Sequence, residues 1–208
     1  MKLMIIFLML AVCATGAWAQ QTKTFGWEDG VSTHLGFFGN LGEATNVNDF
    51  SHTGSHSLYM TEDPLDGTPQ IYVAWIYGLM EGDEVTASFW SWDDTPDDAV
   101  YPRTRIWGHY TSNDITDYQG SASGNSAYTN GIGWEEQSHT WTIDLLADPD
   151  RTALVVEFRL YSADGAQGPY YCDDISVTAP DHAVIVLANE DPVGTVDSSF
   201  GSVKALFR

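Results

Sequence analysis

The sequence is poor in cysteine and in basic residues. It has two cysteines in 208 residues, and Cys13 lies in the N-terminal segment, so Cys172 has no partner for an internal disulfide. Eight Lys and Arg stand against 29 Asp and Glu, which gives a formal net charge of −21. So acidic a chain repels nucleic acid and anionic lipid, and we expect neither as a partner.

Long apolar runs are also missing, apart from Leu3–Val12. This run follows Lys2 and precedes the small-residue segment that ends at Ala19, a pattern typical of a secretory signal peptide over residues 1–19. The run is too short to span a membrane, and no later stretch is longer. The sequence therefore predicts a secreted, extracellular protein without membrane insertion.

Short runs of alternating apolar and polar residues fill the rest of the chain, separated by clusters of Gly, Asn, Asp and Pro. No long segment has a sustained helical period. This pattern predicts an all-β domain, a two-sheet antiparallel β-sandwich of the jelly-roll type, over residues 20–179. Residues 180–208 are predicted to form a C-terminal tail, and Thr111–Gly133 a long loop.

Three predicted strands place aromatic and charged side chains opposite their core-facing residues, because strand side chains alternate. Indole rings stack on the apolar faces of sugars, and Arg, Glu and His form directional hydrogen bonds with hydroxyl groups. A ligand-binding face is therefore one interpretation, and coverage of the aromatic rings by the tail or a second sheet is the other. The candidate ligand-binding residues are Trp90, Trp92, Arg105, Trp107, His109, Glu157, Arg159 and Tyr161.

A second candidate site begins at the predicted strand Tyr170–Val177. Alternation puts Asp173 on the same side as Ile175 and Val177, which should face the core. A buried carboxylate needs a hydrogen-bonding, charged or metal partner, and basic residues are few. We therefore expect a structural Ca²⁺ site, with ligands from Glu28, carbonyls near Gly54, Asp173 and, as an alternative, Asp174.

Five separated segments resemble carbohydrate-binding modules of families 4, 9 and 22. They are Trp27–Gly30, His52–Leu58, Gly78–Trp90, Gly133-Trp134 and Tyr171–Val177. The resemblance covers most of residues 24–178 and implies a galactose-binding-like jelly roll with a concave glycan-binding face and a structural calcium. Carried over by position, the calcium carboxylates would be Glu28 and Asp173 or Asp174. Such modules are usually fused to a catalytic domain, and this sequence contains none.

The sequence thus predicts a secreted, non-catalytic module that binds a polysaccharide by aromatic stacking and is stabilised by calcium. One alternative is a structural or adhesive surface protein of the same fold without glycan specificity. Another is a glycan lyase or hydrolase that uses Arg105, His109, Glu157 and Tyr161. The segment Thr195–Arg208 resembles C-terminal segments of some secreted bacterial proteins, which implies a cell-surface or secretion-machinery partner for the tail. The alternative is a short amphipathic helix that packs on the sandwich.

Overall fold

The computed structural model describes residues 19–65, 67–95, 103–161 and 170–190. Within these ranges the chain forms twelve β-strands and no helix. The described residues therefore contain no helix that is long and apolar enough to cross a membrane. The strands are β1 (Gln20–Phe25), β2 (Gly36–Phe38), β3 (Leu41–Val47), β4 (Ser57–Glu62), β5 (Gln70–Tyr77), β6 (Glu84–Asp93), β7 (Arg103–Thr111), β8 (Tyr118–Gly124), β9 (Gly133–Thr142), β10 (Ala153–Tyr161), β11 (Tyr170–Pro180) and β12 (Val184–Leu187).

The strands form two six-stranded sheets in which all pairs are antiparallel. In the first sheet the order is β3-β4-β11-β6-β9, and β1 also pairs with β11. In the second sheet the order is β12-β5-β10-β7-β8, and β2 also pairs with β5. The predicted all-β, two-sheet sandwich is therefore confirmed.

The core lies between the two sheets and takes apolar residues from both. Phe89 of β6 and Phe158 of β10 meet edge to face across it, with ring centroids 5.5 Å apart. Trp27 is fully buried in the same cluster, and its indole N–H donates to the carbonyl of Thr33. Cys172 is free and buried there, and burial raises the pKa of its thiol well above the ordinary value.

The sandwich extends beyond the predicted boundary at residue 179. Strand β12 lies in the segment predicted as a tail, pairs with β5, and contributes Ile185 and Leu187 to the core. The predicted loop Thr111–Gly133 likewise contains β8, which pairs with β7. Residues 1–18 of the predicted signal peptide and the terminal segment from residue 191 lie outside the described residues.

Candidate functional site

The eight residues predicted to share one binding face lie on two opposite faces. Trp90 and Trp92 belong to β6 and project from the first sheet, whereas the other six belong to β7 and β10 of the second sheet. Alternation along each strand was interpreted correctly for these outward residues. It carries no information about which sheet a strand joins, so the single eight-residue face is wrong.

On the second sheet, strand pairing aligns the outward residues of β5, β10 and β7 in cross-strand rows. Glu157 lies opposite both Tyr72 and Trp107. In the next row, Arg159 lies opposite Arg105. Residues directly opposite each other in an antiparallel pair are close enough for their side chains to interact. The six predicted residues of this sheet are therefore brought together.

Five of these side chains form one hydrogen-bonded group, which we call the polar row: Arg105, His109, Glu157, Arg159 and Tyr161. Glu157 Oε1 lies 2.5 Å from His109 Nδ1, and Glu157 Oε2 accepts from Arg159 Nε at 3.1 Å and Nη2 at 2.8 Å. The Tyr161 hydroxyl accepts from Arg105 Nε at 3.0 Å and from Arg159 Nη1 at 3.2 Å. Glu157 is only 1% exposed, and its partners compensate for the loss of hydration.

Arg105 is surrounded by aromatic rings. Its guanidinium carbon lies 4.1 Å from the ring centroid of Trp107 and 4.6 Å from those of Tyr128 and Tyr161. Arg159 also lies over Trp107, at 4.8 Å. These distances are in the range of cation–π attraction. Trp107 is thus a half-buried ring that already stacks on guanidinium groups, not a freely exposed platform.

Next to the polar row lies a concave pocket of about 190 Å³, which we call the groove. Its walls include Tyr118, 62% exposed, and Phe37, 39% exposed, and Tyr72 and His109 also line it. Burial, with a smaller contribution from the Glu157 carboxylate, raises the pKa of the Tyr72 phenol to about 12, although Arg159 acts in the opposite direction. The groove therefore combines aromatic walls with a neutral phenol.

Sequence analysis missed the aromatic residues that line the groove. Tyr118 lies in the segment predicted as a loop, and Phe37 lies in the three-residue strand β2, too short to show alternation. Tyr72 lies in β5, where the β5–β10 register shifts between Val156 and Glu157. This bulge lets Tyr72 and Trp75 both face outward, which strict alternation does not predict. The aromatic content of these segments was the available signal.

On the outer face of the first sheet, Trp90 and Trp92 pack against other rings. Trp90 stacks on His52 at 3.9 Å, and Trp92 meets Phe50 edge to face at 4.7 Å. Phe50 also stacks on Trp134 at 5.6 Å. Both tryptophans are half-buried, because the segment carrying Phe50 and His52 lies over them.

Asp173 is fully buried, as predicted, but not in the core. A bulge in β11, with the register shift between Asp173 and Ser176 and a left-handed Asp174 (φ 50°), reverses the alternation. Cys172 therefore faces the core, and Asp173 lies under the loop of residues 51–56. Its Oδ2 accepts the backbone N–H groups of His52 at 2.9 Å and Thr53 at 3.2 Å. Burial raises the pKa of Asp173 to about 6, and these N–H groups oppose that shift.

The other predicted calcium ligands surround the same loop. Glu28 accepts the N–H groups of Ser55 and His56 at 3.0 and 2.9 Å, and these bonds lower the pKa of its carboxyl. Asp174 Oδ2 lies 2.6 Å from His52 Nδ1. A Cβ on Gly54 would lie 2.3 Å from Glu28 Oε1, so glycine permits this approach.

We call this group, Glu28, Gly54, Asp173 and Asp174, the terminal corner. In the described part of the chain, no three His, Cys, Asp or Glu side chains form a group that could hold a metal ion. The terminal-corner carboxylates instead accept hydrogen bonds from the loop. The predicted site also uses backbone carbonyls near Gly54, so calcium stays a prediction.

Comparison with known proteins gives a fold but no sequence relative. No family model matches the chain, and no curated protein matches it. Among solved structures, it is similar to the CBM22-1 xylan-binding domain of Paenibacillus barcinonensis Xyn10C, with 13% identity and a TM-score of 0.52 over 79% of this chain and 97% of that chain.

Two further solved structures agree. The CBM22-2 xylan-binding domain of the same Xyn10C has 18% identity and a TM-score of 0.52, covering 76% of this chain and 98% of that one. The C-terminal family 22 carbohydrate binding module of Clostridium thermocellum Xyn10B has 13% identity and a TM-score of 0.51, covering 78% and 96%. The chain therefore has the β-sandwich fold of carbohydrate-binding modules, as the sequence resemblance implied.

Proposed function

We propose that this protein is a secreted, non-catalytic carbohydrate-binding module, and that the outer face of its second sheet binds a polysaccharide. The observation that carries the proposal is the groove beside the polar row. Tyr118 and Phe37 are large, exposed rings, and Glu157, Arg159 and Tyr161 are held in fixed orientations by one another. Aromatic walls with a few oriented polar groups are typical of a small-ligand site.

The shape of the groove supports glycan binding over a purely structural role. In a structural protein of this fold, we expect another element to cover the outer aromatic rings. Among the described residues only part of this face is covered, where Ile115 packs on Trp75 and Val186 of the sheet. Tyr118 remains exposed beside that cluster.

The polar row also bears on the lyase alternative. Arg105 and Tyr161 do meet, but His109 is separated from them by Glu157 and Arg159 and is 4% exposed. Incubation with acidic polysaccharides should therefore yield no ultraviolet absorbance from an unsaturated uronate product. Appearance of that absorbance would replace the binding proposal with a lyase.

The first test is retention of the secreted protein on a panel of soluble and insoluble polysaccharides. The Tyr118→Ala variant should bind the retained glycan roughly tenfold more weakly, because it loses an exposed stacking surface. Trp107→Ala should also weaken binding. A matched control is Tyr59→Ala, which removes a half-buried tyrosine from the outer face of the first sheet.

The outcome separates the two faces of the sandwich. Loss of binding in Tyr118→Ala with wild-type affinity in Tyr59→Ala supports the second sheet. The reverse pattern places the site on the first sheet, and no retention on any glycan contradicts the binding function.

A further inference from the structure

We propose that the Arg105 guanidinium binds the anionic group, a carboxylate or a sulfate, of an acidic sugar unit. The inference rests on the proposed function, since the sugar would lie on the same face of the second sheet. It narrows the ligand class from polysaccharides in general to acidic ones.

The first support is the pairing of the cations in the described residues. Four of the five described Lys and Arg side chains lie within 4 Å of a carboxylate oxygen. The pairs are Lys23–Glu190 at 2.8 Å, Arg103–Asp93 at 3.5 Å, Arg151–Asp148 at 3.2 Å and Arg159–Glu157 at 2.8 Å. Within those ranges Arg105 has no carboxylate within ion-pair distance. Arg105 differs in this respect from the other four described cations, although the chain has a net charge of −21.

The second support is the environment of this guanidinium. Three rings, Trp107, Tyr128 and Tyr161, lie within 4.6 Å of its central carbon. Aromatic rings attract a cation but remove water from it, and a charge that loses hydration favours an opposite charge at short distance. An anion at Arg105 would supply that charge.

The third support is donor geometry. Arg105 uses Nε and Nη2 on the Tyr161 hydroxyl, and its Nη1 donates to no described atom. The planar guanidinium is held by these bonds and by the rings, so its remaining donors are already oriented. Oriented N–H donors on a planar cation match the two oxygens of a carboxylate or two oxygens of a sulfate.

The charge balance of the polar row also supports an anion at Arg105. Arg159 is neutralised by Glu157, which also contacts His109. Arg105 therefore leaves the row with one uncompensated positive charge, although the chain as a whole is strongly acidic. Short-range contact at this position can attract an anion even where the distant surface repels it, because salt screens charges more than about 10 Å apart.

The experiment compares ligands that differ only in charge. Full-length secreted protein is titrated with polygalacturonate and its carboxyl-reduced counterpart, and with a sulfated galactan and its desulfated counterpart. We expect at least one acidic polymer to bind about tenfold to a hundredfold more tightly than its neutral counterpart. The carboxylate and sulfate arms identify which anion the site takes.

Arg105→Gln should abolish this preference, and Arg105→Lys should keep only part of it, because lysine retains the charge but not the planar donors. Arg151→Gln is the matched control, since Arg151 also lies over a tyrosine, Tyr110 at 5.2 Å, away from the groove. If Arg105→Gln does not fold, a folded Arg105→Lys variant with wild-type preference overturns the proposal.

Two other results would contradict the anion site at Arg105, and they differ in what they imply for carbohydrate binding. Equal affinity for acidic and neutral polymers, or an unchanged preference in Arg105→Gln, removes the anion site but leaves carbohydrate binding in place. Binding to none of the four polymers removes the anion site, and only the wider polysaccharide panel then decides the proposed function.

Discussion

Glu157 connects the two ends of the polar row. One of its oxygens contacts His109 and the other accepts two N–H groups of Arg159. A carboxylate that is 1% exposed on the outer face of a sheet is stable only because both oxygens have charged or hydrogen-bonding partners. This residue therefore orients the groups that would meet a ligand.

At the same scale, Tyr72 should titrate late. Its folded-state pKa is about 12, above the ordinary value of 10.0, so the unfolded chain loses this proton first. The contribution of Tyr72 to the free energy of unfolding is therefore complete below pH about 10 and is lost as the pH rises toward about 12. Tyrosinate absorbance measured against pH should show a late-titrating phenol that is missing in Tyr72→Phe. An unchanged high-pH titration in that variant would contradict the assignment.

Among elements, bulges in β5 and β11 explain most of the local differences from the sequence-based pattern. In β11 the bulge moves Asp173 from the core side to the outer side. In β5 the shift lets Val73 and Ala74 both face the core, while Trp75 joins the outer cluster. A bulge adds one residue to a strand and reverses the alternation beyond it. Strict period-two patterns cannot locate that residue.

The loop of residues 51–56 should depend on Gly54. This residue has φ of 64°, and an added Cβ would lie 2.3 Å from Glu28 Oε1. Gly54→Ala should therefore lower the free energy of unfolding by about 1–2 kcal/mol from backbone strain, and further because the Glu28 hydrogen bonds to the loop are displaced. Chemical denaturation measures both.

The control for this substitution is Gly82→Ala. Gly82 has φ of 77° and nothing within 4 Å of an added Cβ, so only the strain should appear. In a Glu28→Ala background the two glycine substitutions should lower the free energy of unfolding by the same amount. If Gly54→Ala and Gly82→Ala lower the free energy of unfolding equally in the wild-type background, the Glu28 contact does not contribute to stability.

At the scale of the whole molecule, the terminal corner links the first strand, the loop of residues 51–56 and β11. If calcium binds the folded state alone, a hundredfold excess over its Kd adds about 2.7 kcal/mol. For a domain of this size we expect the Tm to rise by roughly 5–10 °C over that in chelator. Thermal unfolding followed by circular dichroism measures it.

The calcium effect should disappear in Glu28→Gln and persist in Glu84→Gln, which removes an exposed carboxylate at the start of β6. Magnesium at the same concentration should not replace calcium. Identical Tm values in calcium and chelator would show that the loop hydrogen bonds alone hold the terminal corner.

Much of the fold could be predicted from the chain because alternation and turn residues act locally. The strand around Leu154–Leu160 shows this, with alternate residues in the core. The candidate site was only partly predictable: the residues of β7 and β10 were grouped correctly, but local alternation does not show that β6 belongs to the other sheet. Residues in predicted loops, such as Tyr118, had no periodicity to mark them.

By itself, the sequence determined the all-β class, the acidic charge and the outward side of β6, β7 and β10, because each depends on composition or on neighbours along the chain. Only the tertiary structure decided which strands share a sheet, and hence that Trp90 and Trp92 lie away from Arg105 and Glu157. It also decided where bulges reverse the alternation of a strand and which of the described arginines has no carboxylate within ion-pair distance. These features depend on long-range pairing, which local alternation does not encode.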